Sequence, residues 1–174
     1  VIGRAGAKRA GADHAPSKRG GRARPDASAV KVRPARARDL DAVIGIDATV
    51  TGLEKRDYWG SLFRRYAGTR QAGRRFLVAE VGGRVVGFVI GEVRDWEFGS
   101  PPCGWVFGID VRPDVRLEGV GTRLLDAICA SFRQAGVRTV RTMLSRDNTL
   151  ILSFFRSQGM MAGPFIPLEM ELAR

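Results

Sequence analysis

The chain has 174 residues, 44% of them hydrophobic, and carries 29 Lys/Arg against 18 Asp/Glu for a net charge of +11. This suits one domain with a real core plus a tail, and the excess charge favours anionic partners: phosphate-bearing cofactors, nucleic acid or acidic lipid heads. One histidine, His14, and two cysteines, Cys103 and Cys129, without metal-ligand spacing exclude a histidine-based zinc site, a Ser-His-Asp triad and a disulfide framework.

Residues 1–29 are rich in Gly, Ala, Arg and Pro, with seven Lys/Arg against Asp13 and Asp26. They cannot bury enough surface to offset ordering entropy, and a disordered basic tail is expected. The stretch lacks the apolar segment of a secretory signal, and no apolar run is long enough for a bilayer. A cytoplasmic protein without membrane contact is the expectation. The folded domain is then expected over 30–174.

"VKVRPA" (30–35) alternates as a short strand, and "RDLDAVIGIDATV" (38–50) reads as a helix with Asp39 at its N-cap. A second helix is expected within 51–73, its apolar stripe drawn from Leu53, Trp59, Leu62, Phe63 and Tyr66. Two β-rich runs within 74–96 flank Gly82-Gly83, a strong hairpin signal. "CGWVFGIDV" (103–111) is a third strand, and a helix over 119–135 buries Val120, Leu124, Ile128 and Phe132 before Gly136 ends it. "VRTVRTML" (137–144) reads as a strand, 145–160 as loop and helix with a Gly159 stop, and 162–173 as a last strand. The order β-α-α-β-β-β-α-β-α-β predicts an α/β (α+β) fold, a mixed sheet with helices on its faces.

The turn "VRPDVRLEGVGTRLLDAI" (111–128) places Arg116, Gly119 and Gly121 at the mouth of a helix. The first turn of a helix has backbone N–H groups without intrahelical partners, at the positive end of the macrodipole. A pyrophosphate can accept several of them at once. The two glycines let the backbone approach the anion, Thr122 can add a hydroxyl, and Arg116 and Arg123 can add charge. The dinucleotide pattern needs a third small residue where Leu124 stands, and the P-loop's Gly-Lys-Ser/Thr ending is absent.

Three stretches together resemble the GNAT superfamily of acyl-CoA-dependent N-acetyltransferases. They are "IDVRPDVRLEGVG", like that family's Arg/Gln-x-x-Gly-x-Gly/Ala signature, "RFLVAEVGGRVVGFVIG", like its central hairpin, and "NTLILSFFRSQGM", like its later helix. The resemblance implies a mostly antiparallel central sheet in which one strand pair splays to form a slot for acetyl-CoA. The backbone of Ile109, Asp110 and Val111 would then lie along the pantetheine arm, with Ile109 and Val111 pairing like an added strand. Amides of Leu117, Glu118, Gly119, Val120, Gly121 and Thr122, edged by Arg116, would hold the pyrophosphate, with Asn148 near the pantetheine. The implied reaction is direct attack of a primary amine on the thioester, largely a proximity effect.

The chain departs from the family's pattern at two places. Phe155 is expected among the cofactor-contacting residues, where the resemblance places a tyrosine that often protonates the departing thiolate, with simple packing as the other account of it. Cys103 and Trp105 stand where some members carry a glutamate base. Glu92, opposite Trp105 across the hairpin, is the expected base, and Tyr58 the expected partner in the acceptor region. "GLEKRDYWG" and "RDWEFGSPP" are expected to line the slot, their carboxylates and aromatics suiting a cationic amine, either a small molecule or a protein amine. Cys103 reads as an inert small residue. Two other readings stand beside this one: a domain that binds acyl-CoA without turnover, and a nucleic-acid-binding module driven by the basic tail. Self-association as a homodimer stays open.

Overall fold

A computed structural model of the chain describes residues 30–68, 73–116 and 119–172. The disorder expected of the tail lies outside the described residues, as do Leu117 and Glu118. Five strands form one sheet in chain order: β1 (Lys31–Pro34), β2 (Arg74–Val81), β3 (Arg84–Arg94), β4 (Cys103–Val111) and β5 (Val140–Arg141). The first four pair antiparallel and β5 joins β4 in parallel. The hairpin between β2 and β3 turns through Gly82 and Gly83, at φ +55° and +80°. Positive φ at both central residues matches the twist of the flanking strands, and glycine adopts it freely.

Side-chain alternation splits the core into two layers. On one face, α1 (Leu40–Thr51) and α2 (Arg56–Tyr66) bury Val43, Ile46, Trp59 and Phe63 against Phe76, Phe88 and Ile90. On the other, α3 (Val120–Gln134) buries Val120, Leu124, Ile128 and Phe132 against Val86, Val89 and Val106, and α4 (Thr149–Ser157) adds Phe155. The four-residue stripe read for α3 is its buried face. Asp39 does precede α1, but its carboxylate does not cap that helix. It accepts two bonds from Arg33, at 2.7 and 3.0 Å, and one from the Arg36 N–H at 2.8 Å, tying β1 to the chain entering α1.

Three expectations need correction. Leu53 is exposed and lies before α2, outside the helical stripe. The strand expected over 137–144 contracts to Val140–Arg141. No strand forms over 162–172, where Ile166, Leu168, Met170 and Leu172 are exposed. A strand needs a neighbouring edge to bond to as well as an alternating pattern, and Pro164 and Pro167 have no N–H to offer one. Phe165 instead rests on the Arg141 guanidinium at 4.4 Å and beside Phe98. Among the described residues, no helix is long and apolar enough to cross a membrane.

Candidate active site

The site is organised by β4, whose two ends have different neighbours. β5 pairs only with Gly104 and Trp105, and the Gly104 N–H donates to the Thr139 carbonyl at 2.9 Å. From Val106 onward, β4 has no strand partner on that side among the described residues. The β3–β4 register shifts between Ile90, opposite Gly108, and Gly91, opposite Val106, leaving Phe107 as the extra residue of a bulge.

The bulge changes which residues face the open edge. The Arg112 N–H donates to the Val86 carbonyl at 2.9 Å. Antiparallel bonding alternates, so Asp110 and Gly108 direct their backbone groups at Phe88 and Ile90 on β3. The backbone N–H and C=O of Ile109 and Val111 therefore turn to the open side. Arg116 Nε donates to the Val111 carbonyl at 3.2 Å, as that orientation requires. An edge of this kind accepts an extended chain by strand-like bonding.

Beyond Val111 the chain makes a short turn at Pro113–Val115 and reaches α3 through Gly119, at φ +76°. No side chain caps α3, and no carboxylate lies in its first turn from Val120. Among the described residues, which do not include Glu118 just before Gly119, no acidic side chain in the first turn compensates the positive end of the helix. The two glycines have different reasons. A Cβ at Gly119 would meet nothing within 4 Å, so the space before the helix is open. A Cβ at Gly121 would come 3.1 Å from the Phe154 ring, so that glycine lets α4 pack close. Val120 is buried in the core and Thr122 is half-buried. Asn148 caps α4, its side-chain oxygen accepting from the Ile151 N–H at 3.2 Å. Phe155 is buried against Phe154 and the α3 core, a packing residue.

On the opposite face of β4, a cleft of about 350 Å³ is lined by Asp47, Lys55, Tyr58, Trp59, Ile90, Phe107, Gly108 and Asp110. Its polar groups are held by α1 and the start of α2. Asp47 is buried, accepts the Trp59 indole N–H at 2.8 Å, and has Lys55 Nζ 3.0 Å from its oxygens. Tyr58 is half-exposed at the rim, edge-on to Trp59. Asp110 projects its carboxylate into this cleft while Ile109 and Val111, its chain neighbours, carry the open backbone edge. Burial, and then the negative charge of Asp47, push Asp110 up from the ordinary 3.8 to about 6, against the pull of Arg116 and Lys55.

The structure separates the two expected catalytic residues. Tyr58 lines the cleft. Glu92 lies opposite Trp105 as expected, but it is absent from the cleft lining and its oxygens are engaged. It accepts the Tyr66 hydroxyl at 2.7 Å and pairs with Arg94 at 3.2 Å and Arg74 at 3.8 Å. Burial and then that bond to Glu92 raise the Tyr66 hydroxyl above its ordinary range. Of the two loops expected at the slot, only "GLEKRDYWG" contributes to the cleft. "RDWEFGSPP" instead holds Trp96 and Phe98 exposed at φ +50° and +52°, outside its lining. Cys103 is buried, with Arg141 3.3 Å from its sulfur. Asp47 and Lys55 were missed as site residues, because eight residues and a helix end separate them in sequence. The one available signal was Asp110, a carboxylate one position from the slot backbone.

The model of the Acetyltransferase (GNAT) family matches residues 45–160. L-2,4-diaminobutyric acid acetyltransferase of Nocardia farcinica (strain IFM 10152) is 38% identical over 79 residues, which are 45% of this chain and 39% of that protein. The chain thus matches about two fifths of the length of that curated relative. The aminoglycoside N-acetyltransferase AAC(6')-Iy, solved in complex with CoA, superposes with a TM-score of 0.72 at 19% identity, covering 83% of this chain and 95% of that one. The aminoglycoside 6'-N-acetyltransferase AAC(6')-Ih from Acinetobacter baumannii gives 0.69 at 15% identity, over 83% and 99%. Those two share the fold, with its mixed sheet and flanking helices. With a family model spanning well over half its residues, this chain belongs to the GNAT acetyltransferase family.

Proposed function

We propose that the chain transfers an acetyl group from acetyl-CoA to a primary amine held in the Asp110 cleft. The observation that carries this is the two-sided character of β4. One residue, Asp110, presents a carboxylate to a cleft, while the residues on either side of it present backbone groups to an open edge. Acetyl-CoA supplies a thioester already activated toward amines. Ile109 and Val111 would bond its pantetheine arm, and Arg116 with the amides at Gly119, Val120, Gly121 and Thr122 would take the pyrophosphate. Leu117 and Glu118 would complete that loop, and Asn148 would add a side-chain amide.

Asp110 is the proposed base in place of Glu92. The amine must lose a proton to attack the carbonyl carbon. The C–N bond then forms, the C–S bond breaks, and the thiolate departs with the electron pair. A base matched to near-neutral pH serves this step best, and Asp110 at about 6 is closer to that match than an ordinary carboxylate. Tyr58 would position the amine at the rim. Phe155 supplies no acid, and a thiolate leaves readily without one. The acetylated amines named for the similar proteins, a diamino acid and aminoglycosides, support an amine acceptor here.

Calorimetric titration with acetyl-CoA, CoA and NADH tests the donor. Binding of the first two and not the third is expected, and no binding of any would overturn the assignment. Acetyl transfer to a panel of amines separates turnover from binding alone. A cytoplasmic setting, self-association and nucleic-acid contact by the tail are carried as secondary proposals. DNA retention with and without residues 1–29 across a salt series tests the last.

A further inference from the structure

Among the described residues, the cleft contains one cation. Its lining holds two carboxylates, Asp47 and Asp110, and the Lys55 ammonium, with Tyr58, Trp59 and Phe107 as walls. Lys55 Nζ reaches Asp47, 3.0 Å away, and lies 5.8 Å from the Tyr58 ring centre. An ammonium has three donors, and this side chain is 36% exposed, so donors remain for a ligand. Lys55 is also the residue that opens α2. The positive end of that helix starts beside it, with Asp57 also in its first turn. Lys55 balances the charge of buried Asp47, and its remaining donors line the cleft, where their charge repels an amine and attracts an anion. A lysine held in place by a buried aspartate, next to a helix start, is a device for an anion.

We infer that the acceptor is an amine that also carries a carboxylate, with Lys55 taking the carboxylate while Asp110 faces the reacting amine. This rests on the proposed acetyl transfer and names its substrate class: a small amino acid with a side-chain amine. The charges match one for one, since such a molecule brings two ammonium groups and one carboxylate to a cleft with two carboxylates and one ammonium. The size agrees, because about 350 Å³ lies at the small end of the roughly 300–1,000 Å³ typical of ligand pockets. Asp47 acts as a positioning residue. The Trp59 indole fixes its carboxylate, and the carboxylate fixes Lys55.

The test compares L-2,4-diaminobutyrate with 1,3-diaminopropane, the same diamine without its carboxylate. Equilibrium binding to the full chain saturated with CoA is measured by NMR or calorimetry, and kcat/KM is measured with acetyl-CoA. The wild type is expected to bind the diamino acid more tightly. Lys55→Gln should weaken that binding roughly ten- to a hundredfold, the range for a hydrogen bond to a charged group. The preference over the diamine should collapse, and Lys55→Arg should restore part of it. Equal affinity for the two probes in the wild type would overturn the inference. So would a Lys55→Gln variant that weakens both equally, which marks a merely structural lysine. Preferential binding without any transfer would uphold the carboxylate subsite and refute the acetyl-transfer reading instead.

Discussion

Replacing Asp110 by asparagine should make the protein more stable and less active at once, and the stability gain should depend on pH in a defined way. The carboxyl moves from 3.8 to about 6 on folding. Between those values the native state holds the proton more tightly than the unfolded chain, so stability falls as pH rises through the interval. Above about 6 the full cost of the buried charge is present. A shift of this size is worth about 3 kcal/mol as a ceiling, at 1.36 kcal/mol per unit. Asp110→Asn has nearly the same shape and no charge, and it removes that cost. For a domain of this size the gain is roughly 5–10 °C in melting temperature at pH 7.5, closing toward zero near pH 4. Thermal unfolding of both proteins from pH 4 to 8 measures it. Acetyl-transfer assays on the same samples should show a loss of about 10²–10⁴ in kcat. In the wild type, kcat/KM should rise with pH along an acid limb near 6. A melting difference that is flat across pH would refute the electrostatic argument. An Asp110→Asn enzyme with wild-type kcat would refute Asp110 as the base.

Other perturbations separate packing from chemistry. Glu92→Gln should fall well short of the Asp110→Asn loss in kcat, since Glu92 is engaged with Tyr66, Arg74 and Arg94; an equal loss would return the base to Glu92. Gly119→Ala should cost about 1–2 kcal/mol in denaturant unfolding from a positive φ, and Gly121→Ala less, because alanine's helix propensity offsets the close approach to the Phe154 ring. Adding Phe154→Leu should relieve only the second, because only Gly121 would meet that ring. Trp59→Phe should cost about 1–3 kcal/mol by stripping a donor from buried Asp47, and should weaken acceptor binding more than CoA binding. Phe155→Tyr should not raise kcat, because its hydroxyl would enter the apolar layer beneath α3; a faster enzyme would show that position 155 reaches the thiolate.

Periodicity and turn chemistry were enough to read the Gly82-Gly83 hairpin, the α3 stripe and the β4 run, since each depends on local rules of spacing and backbone freedom. The glycine turn that opens α3 was legible for the same reason, since Gly119 takes a positive φ that glycine adopts freely. What the tertiary structure decided were relations between distant segments. The bulge at Phe107 cannot be read from a run of apolar residues, yet it sets which backbone groups of β4 face the open edge. Gly121 and Gly119 look alike in sequence, and only the approach of Phe154 gives them different purposes. Alternation over 162–172 promised a strand, but a strand forms only against an available edge. Glu92 and Asp110 are both carboxylates on paired strands. The fold surrounds one with arginines and half-buries the other in the cleft beside Asp47, and those surroundings are what favour Asp110 as the proposed base.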